Sequence, residues 1–283
     1  MANTVNAGLI SEILEEQAVT SMGTISGITD AFTAKVEINP VAPASTINVP
    51  LVTAAGTVLT NPSSFESGDS TAGVIAVLPA KIVVPIHATD AEMQKGTRAE
   101  WFIKKAMQTM QNKLVDLTLA PATVANFGAA VVDVAAASFA ASHLKTILAA
   151  AKNYDVTNLF LDGAHLAQVT PTSGENFRLD ENGAFGFDRI FKHNRWDGAG
   201  TDVFGFVAGS NAIAIGAGEP HYDDEVRNDL VMFEVVTLPN GIPVIFTKWI
   251  SRSTRAVWYA LETMYGAAAG DTTAGEIIEG ATN

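Results

Sequence analysis

TRAEWFIKKAMQTMQNKLVDLTL, residues 97–119, is the stretch that decides the fold. Ala99, Ile103, Ala106, Met110, Leu114 and Leu117 recur at spacings of three and four, which draws one apolar stripe along a helix. Thr97 followed by Glu100 reads as a capping box at its start. Pro121 stops it, because a proline in a helix interior loses a backbone donor and clashes with the preceding turn. A helix over 98–119 would run about 33 Å at 1.5 Å per residue. The usual globular helix has about 11–12 residues. Such a helix is a spine from which the remaining elements hang.

The sequence on its N-terminal side has another character. Residues 38–88 are built from Val, Ile, Thr, Ala, Pro and Gly, and between Ile38 and Ala80 only Glu66 and Asp69 are charged. Thr46–Thr53 and Val74–Pro85 read as strands. Gly56–Gly73 between them carries turn chemistry in Asn-Pro, Ser-Ser and Gly-Asp. The pattern predicts one long β-hairpin with a loose tip. A lone two-stranded hairpin is marginal in water and its edges invite pairing. It must therefore lie on its own chain or on a neighbouring subunit. The alternative is two strands of an ordinary sheet. Upstream, Leu9, Ile13 and Ala18 give residues 1–37 a weakly amphipathic face, as in an arm that docks elsewhere. A second capping box, Thr89 with Glu92, opens a short helical piece before Gly96.

Beyond the spine, Ser138–Asn153 reads as a helix with Leu144, Ile147, Leu148 and Ala151 buried. Asn158–Leu161 is a short strand, followed by a helical turn through Val169. This alternation points to a mixed α/β subdomain. Phe185–Trp196 and Asp202–Val207 are strand candidates, and Ser210–Ala217 a short helix. Leu230–Leu238, Ile242–Ile250 and Arg255–Tyr265 form the most regular β region, with Asn240-Gly241 as a type I′ hairpin turn. The tail after Gly266 is rich in Gly, Ala and Thr and reads as irregular.

The chain of 283 residues is long enough to bury a substantial core, at 48% hydrophobic content. With no cysteine, disulfides, thiolate metal sites and cysteine nucleophiles are excluded. The N-terminal residues have no basic stretch ahead of an apolar core and are read as no secretory signal. No apolar run reaches membrane-spanning length; the nearest, Gly128–Ala141, is interrupted by Asp133. The net charge of −13 repels nucleic acid, since phosphate binding needs clustered Lys and Arg.

The sequence carries no recognisable catalytic or metal-binding constellation. His87, His143, His165, His193 and His221 stand at no metal-ligand spacing. Glu219, Asp223, Asp224, Glu225 and Asp229 lack the turn-forming glycine of a calcium loop and read as a solvated loop. Gly216-Ala217-Gly218 has no third glycine in register and fails as a nucleotide fingerprint. No GxSxG elbow is present. Trp101, Trp196, Trp249 and Trp258 lack the basic interleaving of a base-stacking platform and read as packing anchors. Extended elements without a catalytic constellation fit a protein that contacts copies of itself.

The order of these elements resembles the major capsid proteins of tailed bacteriophages, the Hong Kong 97 fold. Local patterns agree with it: LPNGIPVIFTKWISRSTRAVWYALETMYGAAAGD (238–271) resembles the family's closing signature. NLFLDGAHLAQV (158–169) and FGFDRIFKHN (185–194) resemble its axial-domain steps. The resemblance implies an α+β capsid fold in five parts. Residues 1–37 would be the N-terminal arm, 38–88 the hairpin or E-loop, and 89–139 the P domain with its spine helix. Residues 140–225 would be the A domain, and 226–283 the return strands with the tail.

It further implies a non-enzymatic shell subunit without cofactor or metal, assembling as hexamers and pentamers into an icosahedral virion capsid in the host cytoplasm. Double-stranded DNA would be enclosed without sequence-specific binding. Scaffolding, portal and decoration proteins are the other partners the resemblance allows, and no membrane is involved. Two readings compete: an encapsulin-type nanocompartment around cargo enzymes, and a soluble α/β enzyme. Some members cross-link through an E-loop lysine. Gly56–Ala80 contains none, and Lys81 lies on the returning strand, so no such cross-link is expected. Lys104 and Lys105 on the spine, with Glu66 and Asp69 at the hairpin tip, are the candidate intersubunit contacts.

Overall fold

The long helix runs from Gly96 to Leu119 in the computed structural model. The structure describes residues 12–18, 23–42, 44–54, 71–86, 96–169, 186–192, 203–251 and 256–280. Ala99, Ile103, Ala106, Met110 and Leu114 are buried as the stripe requires, whereas Leu117 is half-buried. Met107, Val115, Thr118 and Leu119 are buried too. The buried arc is wide because two layers press on the helix. Ile13, Leu14, Ile25 and Ile28 of the N-terminal helical segments (residues 12–18 and Gly23–Thr29) share its core cluster, as do Ile82, Val244, Phe246, Tyr259, Leu261 and Tyr265 of a sheet. The helix begins at Gly96, which places Thr97 inside the first turn rather than ahead of it. The pairing of Thr89 with Glu92 lies outside the described residues.

That sheet has six strands: β1 (Thr33–Val41), β4 (Ala80–Ile86), β9 (Ile213–Pro220), β10 (Leu230–Thr237), β11 (Pro243–Ser251) and β12 (Ala256–Ala269). The 14-residue β12 is its axis. It pairs β11 over 256–262 and β9 over 264–269, while β4 runs antiparallel along 259–265. Alternation sends Tyr259, Leu261 and Tyr265 toward the long helix. Trp258, Ala260 and Glu262 point to the opposite side.

The hairpin is a two-stranded sheet of its own, β2 (Ile47–Ala54) antiparallel to β3 (Thr71–Val77). Its inner residues Ile47, Val49, Leu51 and Val77 pack on Val41, Ala214 and Met264, so the support comes from its own chain. The second run, expected as one strand over Val74–Pro85, is two. β3 ends at Val77, and β4 leaves after Leu78 and Pro79 to join β12. Pro79 has no N–H with which to continue a ladder. The bend lies directly over Gly266, where an added Cβ would stand 2.8 Å from the Leu78 carbonyl oxygen and 3.0 Å from Pro79 Cα. Gly266→Ala is therefore expected to cost about 1–3 kcal/mol by overpacking against backbone. Gly73→Ala, with open space around it, serves as the neutral control in chemical denaturation.

Three further expectations are corrected. Ser210–Ala217 is not helical; Ile213–Pro220 is strand β9, central in the sheet and buried on both faces, so it has no polar side to present. The Asn240-Gly241 turn is not type I′. Gly241 has φ +86°, but among non-glycine described residues only Ala44 is positive. Pro239 holds the first central position at negative φ, and Gly241 N–H donates to Leu238 C=O at 2.8 Å, which makes a type I turn with glycine behind it. The tail is not irregular: β12 continues to Ala269, and β13 (Gly275–Glu279) follows. Ala267, Ala268 and Ala269 are small enough to pair closely with Ile215, Ala214 and Ile213.

A second sheet holds β5 (Val132–Asp133), β13, β8 (Val203–Ala208), β6 (Asn158–Leu161) and β7 (Arg189–Lys192), in that order. Helix Gly163–Val169 connects β6 to its parallel neighbour β7 by way of a segment partly outside the described residues. Helix Ala141–Ala150 lays Leu144 and Ile147 on this sheet's own core with Leu159, Phe187 and Val207.

Candidate assembly surface

Among the described residues no group of three or more His, Asp or Glu side chains could hold a metal ion. His165 is buried, lies face to face on Phe204, and holds Nδ1 3.4 Å from Asp162. Burial keeps its pKa below the usual histidine range, against the opposing pull of Asp162. His143 Nδ1 accepts the Ala140 N–H at the start of its helix, a structural position. His221 is exposed beside Asp223, and His87 and His193 lie outside the described residues. Gly216-Ala217-Gly218 sits mid-strand in β9 beneath Ile47 and Val77, with no helix N-terminus behind it. The acidic run is not one loop: Glu219 is half-buried in β9, Asp223 stands at the N-cap of a short helix, and Asp224, Glu225 and Asp229 are exposed on that helix, Asp224–Asp229.

The three described tryptophans do not share one role, and Trp196 lies outside the described residues. Trp249 and Trp258 stack across β11 and β12 with centroids 6.5 Å apart. Trp101 is not a packing anchor: it is 64% exposed on the long helix. Residue 101 lies opposite the buried arc, because the sheet and the N-terminal segments cover the side of Ile103, Met107 and Met110. Lys104 and Lys105, three and four residues on, are also exposed, so the indole lies in a cationic setting. Of the other two candidate contacts, Glu66 and Asp69, both fall outside the described residues.

Three further surfaces stand out. The outer face of the hairpin shows Asn48, Pro50, Val52, Val74 and Ala76 to solvent without a charge. A groove of about 750 Å³ runs between β4 and the long helix, with Lys81, Lys105 and Lys113 along it. On the opposite face of the large sheet lies an open cleft of about 690 Å³, walled by Val226, Val231, Trp249 and Ile250, with Thr247 and Glu262 at its floor. Val231 is 55% exposed there, and β10 is the last strand of the sheet.

The floor of that cleft is a closed polar network. Glu262 is buried, takes Lys81 Nζ at 2.6 Å, and accepts the Thr247 hydroxyl at 3.1 Å and the Tyr222 hydroxyl. Lys81 also lies over the Tyr222 ring, 4.5 Å from its centroid. Burial first, then the Glu262 carboxylate, pushes the Tyr222 phenol above the ordinary tyrosine range. The network ties β4, β11, β12 and the segment after β9 together. Sequence reading missed it, since its members stand far apart in the chain and each is unremarkable alone.

No protein-family model and no curated protein matches the chain. Solved structures do. The virus-like particle from Pyrococcus furiosus is 9% identical with a TM-score of 0.55, covering 95% of this chain and 97% of the other. The capsid of a native GTA particle is 12% identical with a TM-score of 0.55, over 91% of this chain and 90% of the other. Mycobacterium phage Adephagia gives 15% identity and a TM-score of 0.51 over the same shares.

Proposed function

We infer that this chain, whose fold is the Hong Kong 97-type capsid fold, is a structural shell subunit that assembles with copies of itself into an icosahedral capsid around double-stranded DNA. The observation that carries the reading is likeness over nine-tenths or more of both chains to proteins of a capsid and a virus-like particle. A shared fold of that extent leaves little of this chain for an added catalytic domain. The units would be hexamers and pentamers, in a virion assembled in the host cytoplasm with scaffolding, portal and decoration proteins. The five-part division is arm, hairpin, P domain, A domain and return strands, at the boundaries 37, 88, 139 and 225. The net charge of −13 supports a wall that holds DNA without binding it tightly.

The purified chain is expected to form megadalton particles in size-exclusion chromatography and negative-stain microscopy. A small discrete oligomer under all conditions would overturn the reading. Nuclease-protected DNA inside the particles supports a viral capsid, and an enzyme cargo without DNA points to a nanocompartment instead. Lys104 and Lys105 are proposed as contacts to acidic groups of neighbouring copies. Lys104→Glu with Lys105→Glu is expected to leave the melting temperature nearly unchanged, since exposed pairs contribute about 0–1 kcal/mol. Particle formation should fail. Normal particles from that variant would leave the helix as scaffold alone.

A further inference from the structure

Trp101 and the cleft beside the helix Asp224–Asp229 are complementary in shape and charge. The indole is an apolar knob, 64% exposed and flanked by the exposed Lys104 and Lys105. The cleft of about 690 Å³ has apolar walls, Val226, Leu230, Val231, Trp249 and Ile250, above its polar floor of Tyr222, Thr247 and Glu262. Asp229 lines it, and the helix Asp224–Asp229 beside it adds the exposed Asp224 and Glu225, while Arg227 of that helix lies over the Phe233 ring.

The two features lie on opposite sides of the same sheet. The helix packs on the side of Tyr259, Leu261 and Tyr265, and the Thr118 hydroxyl meets the Tyr265 hydroxyl there. The cleft opens on the side of Thr247, Trp249 and Glu262, and Trp101 points from the helix away from the sheet. Trp101 therefore has no path to the cleft of its own chain.

We propose that Trp101 of one copy inserts into the cleft walled by Val226, Val231, Trp249 and Ile250 of the next copy, with Lys104 and Lys105 set against Asp224 and Glu225. This deepens the shell reading and rests on it. The contact is heterologous, one surface meeting a different one, and such contacts propagate around a ring that closes or does not according to the rotation between copies. Tryptophan is among the residues enriched at energetic anchors, which sit in desolvated pockets inside a polar rim. The opposite charges fix which way the indole enters and discourage like surfaces from meeting.

The test places a photo-cross-linking benzophenone amino acid at position 101 and identifies the linked peptides by mass spectrometry. The expected product is a covalent dimer joined to residues 226–231 or 249–250 of the other copy. Dimers joined elsewhere, or none, overturn the pairing. Trp101→Ala should fold normally, since the side chain is exposed, and should weaken assembly by about tenfold or more. Val231→Glu should do the same from the other side. Combining Lys104→Glu and Lys105→Glu with Asp224→Lys and Glu225→Lys should restore particles that the first pair alone abolishes, and no restoration counts against the proposed charge register. If the unaltered chain yields only small oligomers, the shell reading falls. The cross-link read on those oligomers then still decides the pairing, kept by linkage at the cleft and removed by any other result.

Discussion

Leu114→Ala is expected to cost about 2–5 kcal/mol of folding stability, among the largest losses from one substitution in this chain. Leu114 is fully buried in the middle of the cluster that joins the N-terminal segments, the long helix and the large sheet. Removing its branched end leaves a cavity that three packed layers must all move to close. Leu117 lies on the same stripe by sequence but is only half-buried. Leu117→Ala should cost less than half as much. Guanidinium denaturation of both variants, followed by tryptophan fluorescence, separates them. Equal losses would show that the helix is not the element on which the core is built. Assembly gives the complementary readout. Leu114→Ala should lower the melting temperature of the subunit, whereas Trp101→Ala, one helix face away, should leave it unchanged and impair particle formation.

That contrast marks what was legible in the sequence. A stripe at spacings of three and four records burial, and Ala99, Ile103, Ala106, Met110 and Leu114 were readable from it. The second layer on the helix was not. Met107 and Val115 are buried in a cluster that also takes in Ile25 and Ile28 of a helix from far upstream in the chain, packed against the long helix, and no local period announces that. Strand β9 was misread because a strand buried on both faces has no alternation, and Ala- and Gly-rich sequence of that kind also suits a short helix. The tail was misread for a related reason: Ala267–Ala269 have little β-propensity of their own and are held by pairing with β9. The candidate surface divides in the same way. Lys104 and Lys105 could be picked out as exposed charge on a helix. Trp101 was assigned to packing along with the other tryptophans for want of the basic interleaving of a base-stacking platform, and composition says nothing about which tryptophan is exposed. The cleft is assembled from residues 222 to 262 and exists only once β10, β11 and β12 are paired.

Glu262→Ala is the second substitution with a large expected effect, about 2–4 kcal/mol. The carboxylate serves three partners at once, and its loss strands them unequally. Lys81 keeps a side chain 37% exposed and can turn to water, which limits its share. Thr247 is fully buried and would keep an unpaired hydroxyl, and Tyr222 would lose its acceptor. Glu262→Gln preserves shape and an acceptor and should cost less. A double-mutant cycle with Lys81→Met isolates the ion pair, and additive losses would show that it contributes nothing. The pH dependence gives an independent check. The folded state holds the Tyr222 phenol protonated above its ordinary range, whereas the unfolded chain releases that proton near pH 10. The unfolded state therefore binds fewer protons above that pH, so stability is fully present below about pH 10 and falls as pH rises through it. Tyr154, and Tyr265 with its phenol pushed up to about 12, act in the same direction through burial. Without Glu262, Tyr222 keeps its burial and the charge of Glu219 but loses the carboxylate, so the alkaline slope should flatten without vanishing. An unchanged slope in Glu262→Ala would mean that the phenol does not bond to the carboxylate.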